Sequence, residues 1–115
     1  MGMDADIIGF GPFRKEIAKY LPYSEDAYDG VKNTSWVVVE FFRVNSTDHS
    51  RELAEAFGID PWDFNKHRIS GLAVTERMID DLKGIGEHEC WNDNEIEGFL
   101  TCLKLGFIFF YRPNW

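Results

Sequence analysis

The sequence has few cysteines and no long hydrophobic run, and each shortage excludes a class of protein. Its two cysteines, Cys90 and Cys102, are too few for the disulfide framework of a small secreted domain and lack the paired spacing of a zinc site. No stretch approaches the roughly 18 apolar residues of a membrane span, and no basic segment precedes the first apolar run as in a signal peptide. We therefore expect a reduced, cytoplasmic protein that does not bind a membrane.

Positive charge is also scarce. Twelve lysines and arginines face 20 aspartates and glutamates, which gives a net charge of -8. Nucleic acids and anionic membranes require a basic surface, so neither is expected as a partner. No cofactor is predicted, because no motif for one is complete.

Two segments have the composition of buried strands. Residues 36–44 (WVVVEFFRV) are apolar on both faces except at Glu40 and Arg43, which predicts a central, covered strand. Residues 107–111 (FIFFY) predict a second apolar strand, placed inside the sheet. Residues 5–10 form a shorter apolar run, and a weak strand is expected near residues 69–74.

Helices are predicted from periodicity and end signals. Pro12 suits a first helical position before apolar residues at helical spacing, and Pro22 ends that pattern. Further helices are expected over residues 49–57, after Thr75 as far as Gly84 and Gly86, and from Asn92 to Gly106. Residues 23–35 are polar and predict a loop. Together these elements predict one α+β domain over residues 1–115, a small mixed sheet of three to four strands covered by about four helices.

The segment Gly58 to Ile69 (GIDPWDFNKHRI) raises the question of a metal site. Asp60, Asp63 and His67 are suitable ligands, but they share a face only in a continuous helix. Asp60 followed by Pro61 instead favours a helical turn, with Trp62 and Phe64 anchored on the core. The calcium-loop pattern also fails, because Gly and Glu are missing where the loop needs them. We interpret the segment as a corner and keep the three residues as the alternative metal set.

The glycines between Gly9 and Arg14 offer a second weak motif. Between a strand and a helix, their amide groups and Arg14 resemble a phosphate-binding turn. The third glycine of the dinucleotide fingerprint is missing, so a structural role for the glycines is favoured.

The acidic window between Lys83 and Lys104 contains no lysine or arginine. One interpretation is a solvated helical face. The other is a patch for a basic protein, in which aromatic anchoring gives affinity and charge gives steering. The residues of this predicted acidic patch are Glu87, Glu89, Trp91, Asp93, Glu95 and Glu97.

Three functions remain open from the sequence. The favoured one is a non-catalytic interaction domain that binds a basic protein, as small immunity or inhibitor proteins do. The second is a small enzyme or metal-binding protein, and the third is a homo-oligomer closed by aromatic residues. The enzyme hypothesis draws its side chains from Asp4, Asp6, Asp60, Asp63, His67 and His88.

Overall fold

The computed structural model describes residues 4–20 and 36–114, where helices lie against one face of a four-stranded sheet. The predicted α+β class is confirmed. All strand pairings in this part of the chain are antiparallel, so the expectation of a mixed sheet is wrong.

The strands are β1 (Asp4–Pro12), β2 (Trp36–Val44), β3 (Arg68–Ile69) and β4 (Ile108–Asn114). The helices are a 3₁₀ helix (Lys15–Tyr20), α1 (Thr47–Ala56), a 3₁₀ turn (Phe64–Lys66), α2 (Glu76–Glu89) and α3 (Glu95–Lys104). The predicted loop at residues 23–35 lies outside the described residues.

The strand order is β2-β1-β4-β3. The expectation that β4 lies inside the sheet is confirmed, since it pairs with both β1 and β3. The expectation that β2 is central and covered is wrong, because among the described strands it pairs with β1 alone. Its outward face carries Trp36 and Val38, which are 64% and 51% exposed. An apolar composition on both faces therefore does not identify a central strand here.

Strand β1 extends further than its apolar run indicates. Pro12 is its last residue and pairs with Trp36, so it does not begin a helix as predicted. Gly9 and Gly11 lie beneath the rings of Phe109 and Phe107, and a Cβ at Gly11 would stand 2.3 Å from the Phe107 ring. Close packing of aromatic rings explains this glycine spacing without a phosphate.

Local signals set the ends of α1. The Ser46 hydroxyl caps it by accepting from the His49 amide. At its other end Gly58 has φ +67°, and the amides of Gly58 and Ile59 donate to the carbonyls of Glu55 and Ala54. These two hydrogen bonds form a Schellman motif, in which a glycine with positive φ ends the helix.

Helices α2 and α3 differ from their predicted bounds. Thr75 caps α2 as expected, but the helix continues through Gly84 and Gly86 to Glu89. It ends at Cys90, which adopts a left-handed conformation with φ +57°. Helix α3 begins after Asn94 instead of Asn92, because the Asn92 side chain accepts from the Asn94 amide in a preceding turn.

The core lies between the sheet and the helices and is rich in phenylalanine. Phe42, Phe57 and Phe109 each pack against Phe99, with ring centroids 5.3, 5.4 and 4.8 Å away. The buried hydroxyls of Ser50 and Tyr111 lie 2.6 Å apart and join α1 to β4. The helices form two packed pairs, α1 with α2 and α3 with the 3₁₀ helix Lys15–Tyr20. The seam between these pairs forms a groove.

Candidate functional site

The groove between α2 and α3 has a volume of about 990 Å³. We call it the α2–α3 groove. Its surface is mostly apolar, and one of its lining residues, Leu82, is fully buried. Partly buried apolar side chains complete its walls: Ile79, Trp91, Ile96, Leu100 and Leu103. An apolar concavity of this size is able to accept an apolar segment of another molecule.

Charged side chains border the groove, with carboxylates in excess. The carboxylates are Glu87, Asp93, Glu95 and Glu97, and the lysines are Lys83 and Lys104. Five members of the predicted acidic patch therefore line one groove, and Glu89 does not. The structure also shows that several members of the patch have contacts inside the protein.

Glu95 accepts a hydrogen bond from a β-bulge in β2. Two residues of β2, Phe42 and Arg43, lie opposite the single residue Asp6 of β1, and Phe42 adopts φ +60°. Such a bulge turns a backbone amide out of the strand ladder. The Phe42 amide donates to Glu95 Oε1 over 2.6 Å. Burial raises the pKa of Glu95, and this hydrogen bond lowers it by a smaller amount.

Trp91 lies against the same bulge. Its indole Nε1 donates to the Arg43 carbonyl over 2.6 Å, and its ring centroid is 5.1 Å from that of Phe42. The ring also packs close to Gly86, where a Cβ would lie 2.8 Å from it. Trp91 therefore forms a wall of the groove and at the same time fixes β2 to α2.

Glu89 points away from the groove and links α2 to the start of α1. Its Oε1 lies 2.5 Å from His49 Nδ1 and accepts from the Asn45 amide over 3.3 Å. The rings of His49 and His88 lie 5.6 Å apart. Glu89 thus has a partner within the protein.

Glu87, Asp93 and Glu97 are the exposed acidic residues of the groove. Glu97 also lies 3.6 Å from Lys19 Nζ, in an ion pair open to solvent. Such pairs contribute little to stability. Glu87, Asp93 and Glu97 are the carboxylates available to a second molecule.

The alternative metal set does not come together. Asp60 accepts from the Trp62 amide, and Asp63 accepts from the Asn65 amide, so both carboxylates stabilise turns. His67 lies edge-on to Tyr111 with ring centroids 5.3 Å apart, and its Nε2 is buried without a hydrogen-bond partner. In residues 4–20 and 36–114, no group of three or more His, Cys, Asp or Glu side chains is placed to hold a metal ion.

The turn around Asp60 and Asp63 differs from expectation in one respect. Trp62 and Phe64, expected to anchor it on the core, are 57% and 65% exposed. The turn depends on backbone hydrogen bonds to the two aspartates instead of on buried rings.

The other side chains of the enzyme hypothesis lie in separate places. Asp4 and Asp6 border a small hollow beside Arg112, whereas His88 borders a hollow between α1 and α2. We find no common pocket for these side chains among the described residues.

Comparison with protein-family models, curated proteins and solved structures found no significant match to this chain. Function is therefore inferred from the residues and their geometry. No helix in the described ranges is both long and apolar enough to cross a membrane.

Proposed function

We propose that this protein is an interaction domain that binds a basic protein partner in the α2–α3 groove. The observation that carries this proposal is the combination of an apolar groove with an excess of carboxylates along its edges. The ligand we propose is an amphipathic helix of the partner, with an apolar stripe for the groove and lysine or arginine beside it.

The dimensions of the groove support a helical ligand. Helix α2 has 14 residues and α3 has 10, so these walls are about 15 to 20 Å long. Three to four turns of a ligand helix have that length. Helices that bind in grooves use apolar anchors at i, i+3, i+4 and i+7.

Charge supports a basic partner. The protein carries a net charge of -8, and Glu87 and Asp93 are exposed beside the groove. Rim charges chiefly increase the rate of encounter and exclude acidic competitors, while the apolar contacts supply affinity. Binding is therefore expected to weaken as salt is added.

The test uses a synthetic helical peptide with a leucine stripe flanked by lysines, and binding is measured by fluorescence anisotropy. Two comparison peptides are a scrambled sequence of the same composition and a version with glutamate in place of lysine. We expect the basic amphipathic peptide to bind most tightly. Amide chemical-shift changes on binding are expected in α2 and α3.

Matched variants identify the site. Glu87→Lys with Asp93→Lys reverses two exposed rim charges, and Glu52→Lys with Glu55→Lys makes the same change of net charge on α1. We expect the rim variant to weaken binding roughly tenfold and the α1 variant much less, since distant charges are screened beyond about 8 Å in physiological salt. Equal effects of the two variants, or equal binding of the scrambled peptide, would contradict the proposal.

Three other members of the predicted acidic patch, Trp91, Glu95 and Glu97, are less suitable for this test. Glu97 already lies in an ion pair with Lys19. Trp91 and Glu95 hold the β2 bulge, so their loss would weaken folding as well as binding. The exposed rim residues separate the two effects.

A further inference from the structure

The second face of the sheet is a surface that is not involved in the proposed groove. Strand alternation places Phe10 of β1 and Phe110 of β4 on this face together with Trp36 and Val38 of β2. The rings of Phe10 and Phe110 are 5.7 Å apart, edge to face. Trp36 and Val38 are 64% and 51% exposed. We call this surface the outer sheet face.

One end of the outer sheet face is apolar and the other is charged. At the charged end Arg112 donates to both oxygens of Asp6, over 2.9 and 2.6 Å, and to Glu40 over 2.9 Å. Arg43 lies 3.8 Å from Asp4. The buried carboxylate of Asp6 is thus neutralised by a two-point contact, and this arrangement raises the pKa of Arg112.

Among residues 4–20 and 36–114, the charges placed on this face balance, whereas the whole protein has an excess of negative charge. The carboxylates are those of Asp4, Asp6 and Glu40. The guanidinium groups are those of Arg43, Arg112 and Arg68, and Arg68 belongs to this face because it pairs with Phe110. A surface for a basic partner would carry an excess of carboxylates. A balanced surface instead suits a partner with the same balanced charge, and another copy of this face meets that condition.

We infer that two copies of this protein associate through their outer sheet faces. A two-fold axis places the apolar end of each face against the other copy, so that Trp36 and Val38 are removed from water in both. Sheets packed face to face lie about 10 Å apart, which is the thickness that such side chains fill. Self-association here leaves the α2–α3 groove open, so it is independent of the proposed function.

Sedimentation velocity and light scattering of the whole chain, from low micromolar to millimolar concentration, test this inference. We expect the mass to rise from 13.4 kDa toward twice that value. Association is expected to strengthen with salt, because the two molecules of charge -8 repel each other less when screened. Peptide binding in the groove has the opposite salt dependence, so the failure of one proposal is distinguishable from that of the other.

Trp36→Ser is expected to raise the dimer dissociation constant roughly tenfold or more, because it removes a large exposed ring that the interface would bury. Its matched control is Trp62→Ser, which removes a ring of similar exposure, 57% against 64%, from the turn after α1. Circular dichroism of each variant checks that it is folded. A mass of one chain at every concentration, or equal effects of the two variants, would overturn the inference.

A second pair of variants distinguishes face packing from pairing of two β2 edges. Arg68→Glu on β3 makes the outer sheet face acidic and lies at the opposite edge from β2, whereas Arg77→Glu makes the same charge change on α2. Face packing predicts that only Arg68→Glu weakens association severalfold. Unchanged association in Arg68→Glu would mean that another surface joins the copies and would reject the inferred one.

Discussion

The Phe42 amide of β2 donates a hydrogen bond to Glu95 Oε1 at the start of α3, over 2.6 Å. These residues are 53 positions apart, and the contact is a consequence of the bulge that gives Phe42 its positive φ. The Phe42 ring is fully buried against Phe57, Trp91 and Phe99. A glutamate in the acidic patch therefore stabilises a strained buried residue.

Replacement of Glu95 is expected to separate its hydrogen bond from its charge. Glu95→Ala leaves the Phe42 amide without its acceptor, at a cost of about 1–3 kcal/mol in unfolding free energy. Glu95→Gln keeps an oxygen acceptor and removes the charge, so we expect it to be much less harmful at neutral pH. Urea denaturation of the three proteins measures this difference, and equal losses in both variants would exclude the hydrogen-bond role.

Burial of Glu95 also predicts a pH dependence. Its folded-state pKa is raised above the ordinary value of 4.5, so its contribution to stability is full below that pH and is lost as pH rises through the folded pKa. The stability of the wild type relative to Glu95→Gln is therefore expected to decrease between pH 4.5 and neutrality. Urea denaturation across this pH range measures the difference, and a constant difference would contradict the expected burial of the charge.

Trp91 is expected to be structural, and graded substitutions test this role. Trp91→Ala removes the ring beside Phe42 and the donor to the Arg43 carbonyl, so a loss of about 2–4 kcal/mol is expected. Trp91→Phe keeps a smaller ring and loses the donor together with part of the packed surface, so a smaller loss of about 1–2 kcal/mol is expected. Trp62→Ala is the control, because Trp62 is largely exposed. A Trp91→Ala variant as stable as this control in thermal and urea unfolding would contradict the assignment.

Gly11 and Gly84 are expected to respond to alanine with opposite signs. A Cβ at Gly11 meets the buried Phe107 ring at 2.3 Å, whereas a Cβ at Gly84 meets no atom within 4 Å. Gly11→Ala is therefore expected to destabilise the protein by about 1–3 kcal/mol. Gly84→Ala, in an exposed part of α2, is expected to stabilise it by up to about 1 kcal/mol. Urea denaturation gives both values, and a neutral Gly11→Ala would show that the Phe107 ring moves aside.

The two cysteines are expected to differ in reactivity. Cys90 is exposed, whereas Cys102 is fully buried and its burial raises its pKa to about 12. Thiolate is the reactive form, so iodoacetamide is expected to modify Cys90 alone in the folded protein. Mass spectrometry with and without denaturant measures this. Modification of both thiols at the same rate under native conditions would contradict the buried position of Cys102.

Much of the local structure was predictable from the sequence. The Ser46 and Thr75 caps and the Gly58 ending of α1 each depend on hydrogen bonds between residues only a few positions apart. Local sequence therefore contains both partners of each contact. The extent of α2 was not predictable, because Gly84 and Gly86 are typical of a helix end. Gly86 instead lies within the helix, where the nearby Trp91 ring leaves no room for a Cβ.

The acidic patch was only partly predictable. The sequence indicates carboxylates and a tryptophan in one window, and five of its six members line one groove. It gives no signal that Glu95 and Trp91 bind the backbone of β2, or that Glu89 contacts His49. Those contacts join residues 40 or more positions apart, and a single sequence does not pair distant residues.

The sequence by itself determined the α+β class, most strand and helix positions and the excess of negative charge, because these follow from composition and short-range periodicity. Only the tertiary structure decided that β2 lies at an edge of the described strands and that α2 and α3 are separated by a groove. It also decided that the charges of the described residues on the outer sheet face balance. Strand order and helix packing depend on which distant apolar surfaces fit together. The two proposed binding surfaces follow from that packing.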